Sequence, residues 1–289
     1  MQRRWTAGAL TALVATLGLA LTETALGEEA GASRARALVD QGAAQYRSVG
    51  SERETLDTVV VAAPQKDVFT VDDVQRMIRE GGRGITHKQA VRYVRYAEGR
   101  RDKSYVRFSA PPEDAGTEFL VWREPESAAD NQWLFMPALA KVRRVPVSST
   151  ATFMGTDLTY EDVREQAGEN VDRYTYADSG TEVWEGHACH VVTAKPAATT
   201  QSAYASRKLW IDQEHAFTWK IEYYDERGTT VKMLRNTAIS EVRHGVYRPS
   251  LTQMRDLRVD EVTLIWFSER EVALDVPDEM FAVDRLGTR

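Results

Sequence analysis

From Ile85 to its C-terminal end the chain reads as one short strand after another, and this run constrains the fold more than any other feature. Within residues 88–97, Val91, Tyr93 and Arg95 alternate with Arg92, Val94 and Tyr96. Val106 and Phe108 share a face of the next segment, which Pro111 and Pro112 close. Further strands are expected at 171–176, 183–184, 189–194, 207–212, 216–224, 230–234, 246–254 and 259–267. In the 216–224 strand, Phe217, Trp219, Ile221 and Tyr223 are expected to point one way. Asp225-Glu-Arg-Gly228 then makes a turn with its glycine placed for positive φ. Residues 277–286 suit a last helical turn. Short strands with polar turns predict an antiparallel sheet, and a sheet of this length must curl or close.

The stretch from Gly116 to Asp162 organises this series. Phe119 and Val121 share one face and Leu120 and Trp122 the other; Trp133 and Phe135 alternate with Leu134 and Met136. Pro137-Ala-Leu139 breaks the second run, because proline cannot donate into a ladder. Lys141-Val-Arg-Arg-Val145 returns as a short strand with a basic edge, its Arg143 and Arg144 on opposite faces. Phe153-Met-Gly-Thr-Asp-Leu-Thr-Tyr-Glu-Asp162 reads as a turn feeding a short helix, capped by Asp157 or Thr159. Glu161 and Asp162 then fall in the first helical turn, where negative charge is favoured, and are expected to be solvated.

These blocks (GT-x-FL, QWLFMPAL-x-KVRR and FMGTDLTYED) together resemble the periplasmic outer-membrane lipoprotein-sorting protein family, related to the LolA and LolB carriers and to the sensor RseB. The resemblance runs from about residue 85 to the C-terminus. It implies an α+β fold, a half-open antiparallel β-barrel with a few helices over its concave face, holding a lipid or acyl chain.

The N-terminal part differs in kind. Arg3 and Arg4, an apolar run to Leu21 and small residues at Ala25 and Gly27 form a secretory signal, with cleavage expected after Gly27. The competing reading is a membrane anchor, since the run approaches the length of a span. No cysteine lies near the cut, so a freely periplasmic protein is expected. The signal's Arg3, Arg4 and Glu23 sum to +1, so a net charge of −6 becomes −7 without it. Such a chain is a poor general binder of nucleic acid or of anionic membrane surface. Residues 28–84 are expected to be an N-terminal helical and irregular segment ahead of a curled-sheet domain at 85–289, with 28–289 as one unit. Ala35, Leu38, Val39, Ala43 and Tyr46 fall near one helical face, preceded by a frayed start at 28–34. Residues 51–57 are polar, 58–62 form a short β-branched run, and a Thr-x-x-Asp opening at Thr70 starts a second helix.

Candidate chemistry is sparse. His187-Ala-Cys-His190 has metal-ligand residue types, but in a strand His187 and Cys189 face one way and His190 the other, so no metal site is expected. Cys189, the one cysteine, has no internal partner and is expected to be buried and inert. No Gly-x-Ser-x-Gly and no phosphate loop of standard spacing occurs. Neither an enzyme nor a cofactor is therefore expected.

Several strands are apolar on both faces, whereas a half-solvated antiparallel sheet keeps one face polar. Either the protein's own helices or a ligand must cover the second face. Candidate lipid-binding residues are Phe119, Val121, Trp133, Phe135, Phe153, Met154, Tyr160, Trp210 and Trp219. Arg143, Arg144 and Asp157 are candidates for a headgroup contact or a structural ion pair. The expected function is to carry a hydrophobic cargo, lipoprotein acyl chains or a free lipid, across the periplasm. An inner-membrane transporter or outer-membrane acceptor would be its partner. The alternative is a periplasmic sensor that reads the same cargo and signals to a membrane protein.

Overall fold

The computed structural model describes residues 10–125 and 129–288. Among them are thirteen strands: β1 (Ser51–Ala62), β2 (Ile85–Arg95), β3 (Lys103–Ala110), β4 (Glu118–Trp122), β5 (Asn131–Met136), β6 (Lys141–Arg144), β7 (Tyr174–Trp184), β8 (His187–Pro196), β9 (Ser206–Asp212), β10 (Thr218–Tyr224), β11 (Thr230–Arg243), β12 (Val246–Asp256) and β13 (Glu261–Val272). They form one antiparallel sheet in the order β6-β5-β4-β3-β2-β1-β13-β12-β11-β10-β9-β8-β7. Consecutive strands are neighbours in the sheet except β6 and β7, which stand at its two edges, while β13 docks on β1 and joins the two halves. The sheet is not closed, because β6 and β7 remain edges.

One buried cluster demonstrates the curl. Phe119 of β4 and Leu134 of β5 belong to the same core as Tyr223 of β10 and Leu234 of β11, although many strands separate them in the sheet. Only a sheet rolled towards its own inner face brings those side chains together. The fold is thus α+β, a half-open barrel.

Three helices accompany the sheet: α1 (Leu10–Arg47), α2 (Val71–Glu80) and α3 (Tyr160–Glu165). On α1, Ala35, Leu38, Val39 and Ala43 share a face, as the helical spacing requires, and bury against Val192, Ala194, Leu209 and Ile211 of the inner sheet face. The approach is close: a Cβ on Gly42 would stand 2.8 Å from the carbonyl oxygen of Ala216, so that position needs glycine. α3 lies against the same inner face. Its cap is Thr159, which exchanges hydrogen bonds with Asp162 in a capping box. α2, boxed by Thr70 and Asp73, packs instead on the outer face through Phe69 and Val74 against Val59, Leu251 and Leu264. Beyond β13, residues 278–285 form two 3-10 turns over the outer face of β3–β5, where Phe281 and Leu286 meet Tyr105 and Leu120.

Four sequence expectations change. The frayed start at 28–34 is instead part of α1, which is helical from Leu10. Arg3 and Arg4 lie outside the described residues. The strand expected at 58–62 is longer than that: the polar stretch 51–57 is the first half of β1, which is paired on both sides. Its Glu52 and Glu54 are tolerated inside because arginines from other strands reach them. Trp219 does not share a face with Ile221 and Tyr223. A register shift between Thr218 and Lys220 breaks the alternation and turns its ring to the outer face. Glu161 and Asp162 are buried rather than solvated, since the helix start they occupy is enclosed by the curl of the sheet.

Candidate functional site

The inner face of the sheet holds two chambers under α1 and α3. The larger, about 140 Å³, lies between Leu38, Val39 and Ala43 of α1 and the strands that carry Leu209, Ile221, Leu234 and Phe267. The smaller, about 40 Å³, lies between Leu56, Ala90, Val106 and Phe108 of the sheet and Phe153, Leu158 and Val163 of the α3 segment. Ile265 lines the small chamber and Phe267 the large one; two residues apart on β13, they face the same way, so the chambers are adjacent. Gln166, the residue that ends α3, lines both. Most of the exposed wall of each is apolar, although Glu165, Glu169, Arg207 and Arg248 also line the larger, and both are partly open to solvent.

Around these chambers the inner face carries an unusual amount of buried charge. On the side of α1's C-terminus, Arg248 donates from Nε to Glu52 at 3.0 Å, and its guanidinium lies 3.4 Å above the Tyr46 ring. Arg92 and Arg270 both pair with Glu54. Burial works to raise the Glu54 pKa, but Arg92 and Arg270 outweigh it and hold the carboxyl below its usual range. A second group surrounds α3. Asp130 takes Arg164 at 3.1 Å and Arg173 at 2.8 Å. Arg207 pairs with Glu169 and lies over the ring of Tyr174. Burial raises the Glu169 carboxyl despite Arg207.

A third group pins α3 to the sheet. Tyr204 donates its hydroxyl to Asp162 at 2.8 and 2.9 Å, and the Lys232 ammonium sits 3.2 Å from the same carboxylate. Glu161 accepts from the Tyr174 hydroxyl, the Ser202 hydroxyl and the Ala203 N–H. Asp157 donates its N–H to the Thr263 hydroxyl and accepts that hydroxyl's proton on Oδ2 at 3.0 Å. Lys232 donates to the Asp157 carbonyl at 2.5 Å. Burial, reinforced by Glu261 and Asp256, pushes the Asp157 carboxyl up to about 6, against the lowering effects of Thr263 and Lys232.

The sequence-derived candidates divide between the two faces. Phe119, Val121, Phe153, Met154 and Tyr160 gather on the inner face, where Phe153 stacks within 5.1 Å of Phe119, 5.3 Å of Tyr160 and 6.0 Å of Phe108. Of these five, Phe153 lines a chamber. Trp133 and Phe135 lie on the outer face under the C-terminal turns, where a Cβ on Gly287 would strike the Phe135 ring at 2.5 Å. Trp210 and Trp219 also face outward, with Trp184 and Cys189. Lys220 sits 4.0 and 4.2 Å from the Trp210 and Trp184 rings, and His187 stacks on Trp219. Burial pushes the Cys189 thiol up to about 11. Arg143 and Arg144 are exposed, and Arg144 donates to Asn131 rather than to an acid of the 157–162 segment. Asp157 is held by Thr263 and Lys232, and among the described residues no ion pair joins it to Arg143 or Arg144.

Sequence reasoning read the α1 face but did not count it among the site residues, and it missed Gln166 and the buried arginines and acids. The α1 wall had a signal in the spacing of Ala35, Leu38, Val39 and Ala43. The buried charges had none, because their partners lie far apart in sequence.

A family model described as "-like: Uncharacterized protein" matches residues 100–288. No curated protein matches the chain. Three solved structures share its fold. An outer membrane lipoprotein-sorting protein domain from Vibrio parahaemolyticus, described in its own name as putative, has a TM-score of 0.75 at 21% identity, over 88% of this chain and 99% of that one. A DUF1329 family protein from Desulfovibrio piger has a TM-score of 0.77 at 21% identity, over 89% and 99%. A LolA superfamily protein from Nitrosomonas europaea has a TM-score of 0.63 at 18% identity, over 87% and 99%.

Proposed function

Because this chain belongs to the family whose model spans residues 100–288, and folds as lipoprotein-sorting and LolA-superfamily proteins do, we propose that it binds and carries a hydrophobic cargo in the periplasm. The cargo is an acyl chain of a lipoprotein or of a free lipid. The observation that carries this reading is the pair of adjacent apolar chambers beneath α1 and α3 on the inner face of an unclosed sheet. An acyl chain exposed to water costs about 0.8 kcal/mol per CH₂, so a groove of this composition offsets the cost of removing it from a membrane without covalent chemistry.

The chambers are smaller than the roughly 300–1,000 Å³ of typical ligand sites, so loading needs more room. Phe153 and Met154 supply it in this reading. Their loop roofs the small chamber, and Gly155 follows at φ +70° as its hinge. The leader ends after Gly27 in this reading, and the part of α1 that packs on the sheet stays with the exported protein. A membrane transporter or acceptor would deliver or receive the cargo.

Native mass spectrometry of the protein isolated from its own periplasm, with lipid extraction, tests the proposal. A stoichiometric amphiphile is expected. Protein that comes out empty and displaces no apolar fluorescent probe from solution would overturn the carrier reading.

A further inference from the structure

The side chain of Gln166 is an unpartnered polar group that both chambers share; Glu165 Oε1 and Arg207 Nε in the larger and Arg92 Nε in the smaller also lack a hydrogen-bond partner, but each belongs to an ion-paired residue that lines one chamber alone. The Gln166 backbone is fully used: the N–H donates to the Asp162 carbonyl at 3.1 Å, and the carbonyl accepts the Tyr46 hydroxyl at 3.3 Å. Its Nε2 is buried and has no acceptor among the described residues. A buried amide donor without a partner forfeits the hydrogen bonds it had in water, and native proteins seldom leave one so. The residue also stands where the two apolar chambers meet and lines both.

An unpartnered amide donor at the junction of the two chambers fits a particular ligand chemistry. It fits a molecule with two hydrocarbon arms that meet near one acceptor oxygen. We propose that the two chambers form one site for a two-chain acyl ester, one chain in each, with an ester carbonyl accepting from Gln166 Nε2. This deepens the carrier reading and rests on it. The larger chamber is close to the size of engineered cavities of about 150 Å³ that admit benzene, so it holds only the carbons nearest the carbonyl. The rest of each chain leaves through the open sides or fills space freed by the 153–158 loop. Ester selectivity then comes from Gln166, while the apolar walls supply affinity without discrimination.

The test compares 1,2-dioctanoylglycerol with its ether analogue 1,2-di-O-octylglycerol, which has the same chains but no carbonyl. Each displaces the apolar dye N-phenyl-1-naphthylamine from the full-length protein. The ester is expected to bind roughly three- to tenfold more tightly, as one added hydrogen bond implies. Gln166→Leu should abolish that preference and leave ether affinity unchanged. Gln166→Glu, of the same shape but an acceptor when ionised, should push the preference below unity, and it serves if the leucine variant does not fold. Equal affinity for ester and ether in the unaltered protein would overturn this inference and leave the carrier reading standing. A preference that survives both substitutions would overturn it as well. Failure to bind either compound would bring down the carrier reading and this inference with it.

Discussion

The ammonium of Lys232 and the carboxylate of Asp162 stand 3.2 Å apart, each side chain 1% exposed, with one on the sheet and the other on α3. The pair fastens the α3 segment to the strands behind it, and Tyr204 completes the carboxylate's hydrogen bonds. A buried pair of this kind contributes little net stability, but removing one partner strands the other. Lys232→Met should therefore cost about 3–5 kcal/mol in urea unfolding. Lys232→Met combined with Asp162→Asn should recover part of that loss. A single variant as stable as the parent would mean that α3 does not depend on this contact.

Asp157 gives the same segment a pH dependence. Its folded pKa of about 6 lies above the value of about 3.9 for an unfolded aspartate. Between those values the folded protein holds a proton that the unfolded chain has released, so stability is greatest at the acid end and falls as pH rises through 6. The groups facing it are Thr263, Glu261, Asp256 and Lys232. Asp157→Asn keeps a side-chain acceptor for Thr263 and removes the titration. The variant should be more stable than the parent at pH 7 and show less loss between pH 5 and pH 7. Parallel stability curves for the two proteins would refute the assignment.

Phe153→Ala separates wall from roof. The ring touches Phe108, Phe119 and Tyr160 and is nearly fully buried, so its truncation should cost about 3–5 kcal/mol, as buried phenylalanines do. In the protein that remains folded, the enlarged small chamber should take up an apolar dye at least as tightly as before. A loss under about 1 kcal/mol would show that the loop is held by Asp157 rather than by the ring.

Much of this arrangement was legible from the residues, for definable reasons. Alternation placed Phe119 and Val121 opposite Leu120 and Trp122 because strand geometry has a period of two. The Thr-x-x-Asp pattern located the start of α2, and Thr159 and Asp162 repeat that capping box at α3. Alternation did not say which face was inner, so Trp133 and Phe135 were grouped with Phe119 although the sheet puts them on opposite sides. The bulge at Thr218–Lys220 left no trace in composition and moved Trp219 outward. Glu52 and Glu54 resemble solvent residues until Arg92, Arg248 and Arg270 arrive from distant strands. Charge in a sequence carries no sign of burial when its partner is remote.

The outer tryptophans offer a control. Trp219 donates its indole N–H to Asp212 at 2.9 Å and stacks on His187, away from both chambers. Trp219→Leu should lower stability by about 1–3 kcal/mol, through the lost ring contacts and the loss of the indole donor to Asp212 Oδ2, whose Oδ1 still accepts from the Glu214 and His215 N–H groups. It should leave dye affinity within twofold of the parent. A loss of dye binding with the fold intact would place cargo on the outer face and refute the inner-face site.

An unclosed sheet has two margins whose main-chain groups lack a strand on one side, and these templates invite other chains to add on. Each margin is blunted differently. β6 is only four residues long and carries Lys141, Arg143 and Arg144, so a second copy approaching it meets its own positive charge. β7 is long, but its pairing is interrupted between Asp178 and Thr181, where Gly180 sits at φ +90°. Lys141, Arg143 and Arg144 thus work against a second copy adding on at the β6 margin, as charged edge strands do. Replacing Arg143 and Arg144 with valine would expose that hazard as concentration-dependent fibre formation while monomer stability changed little.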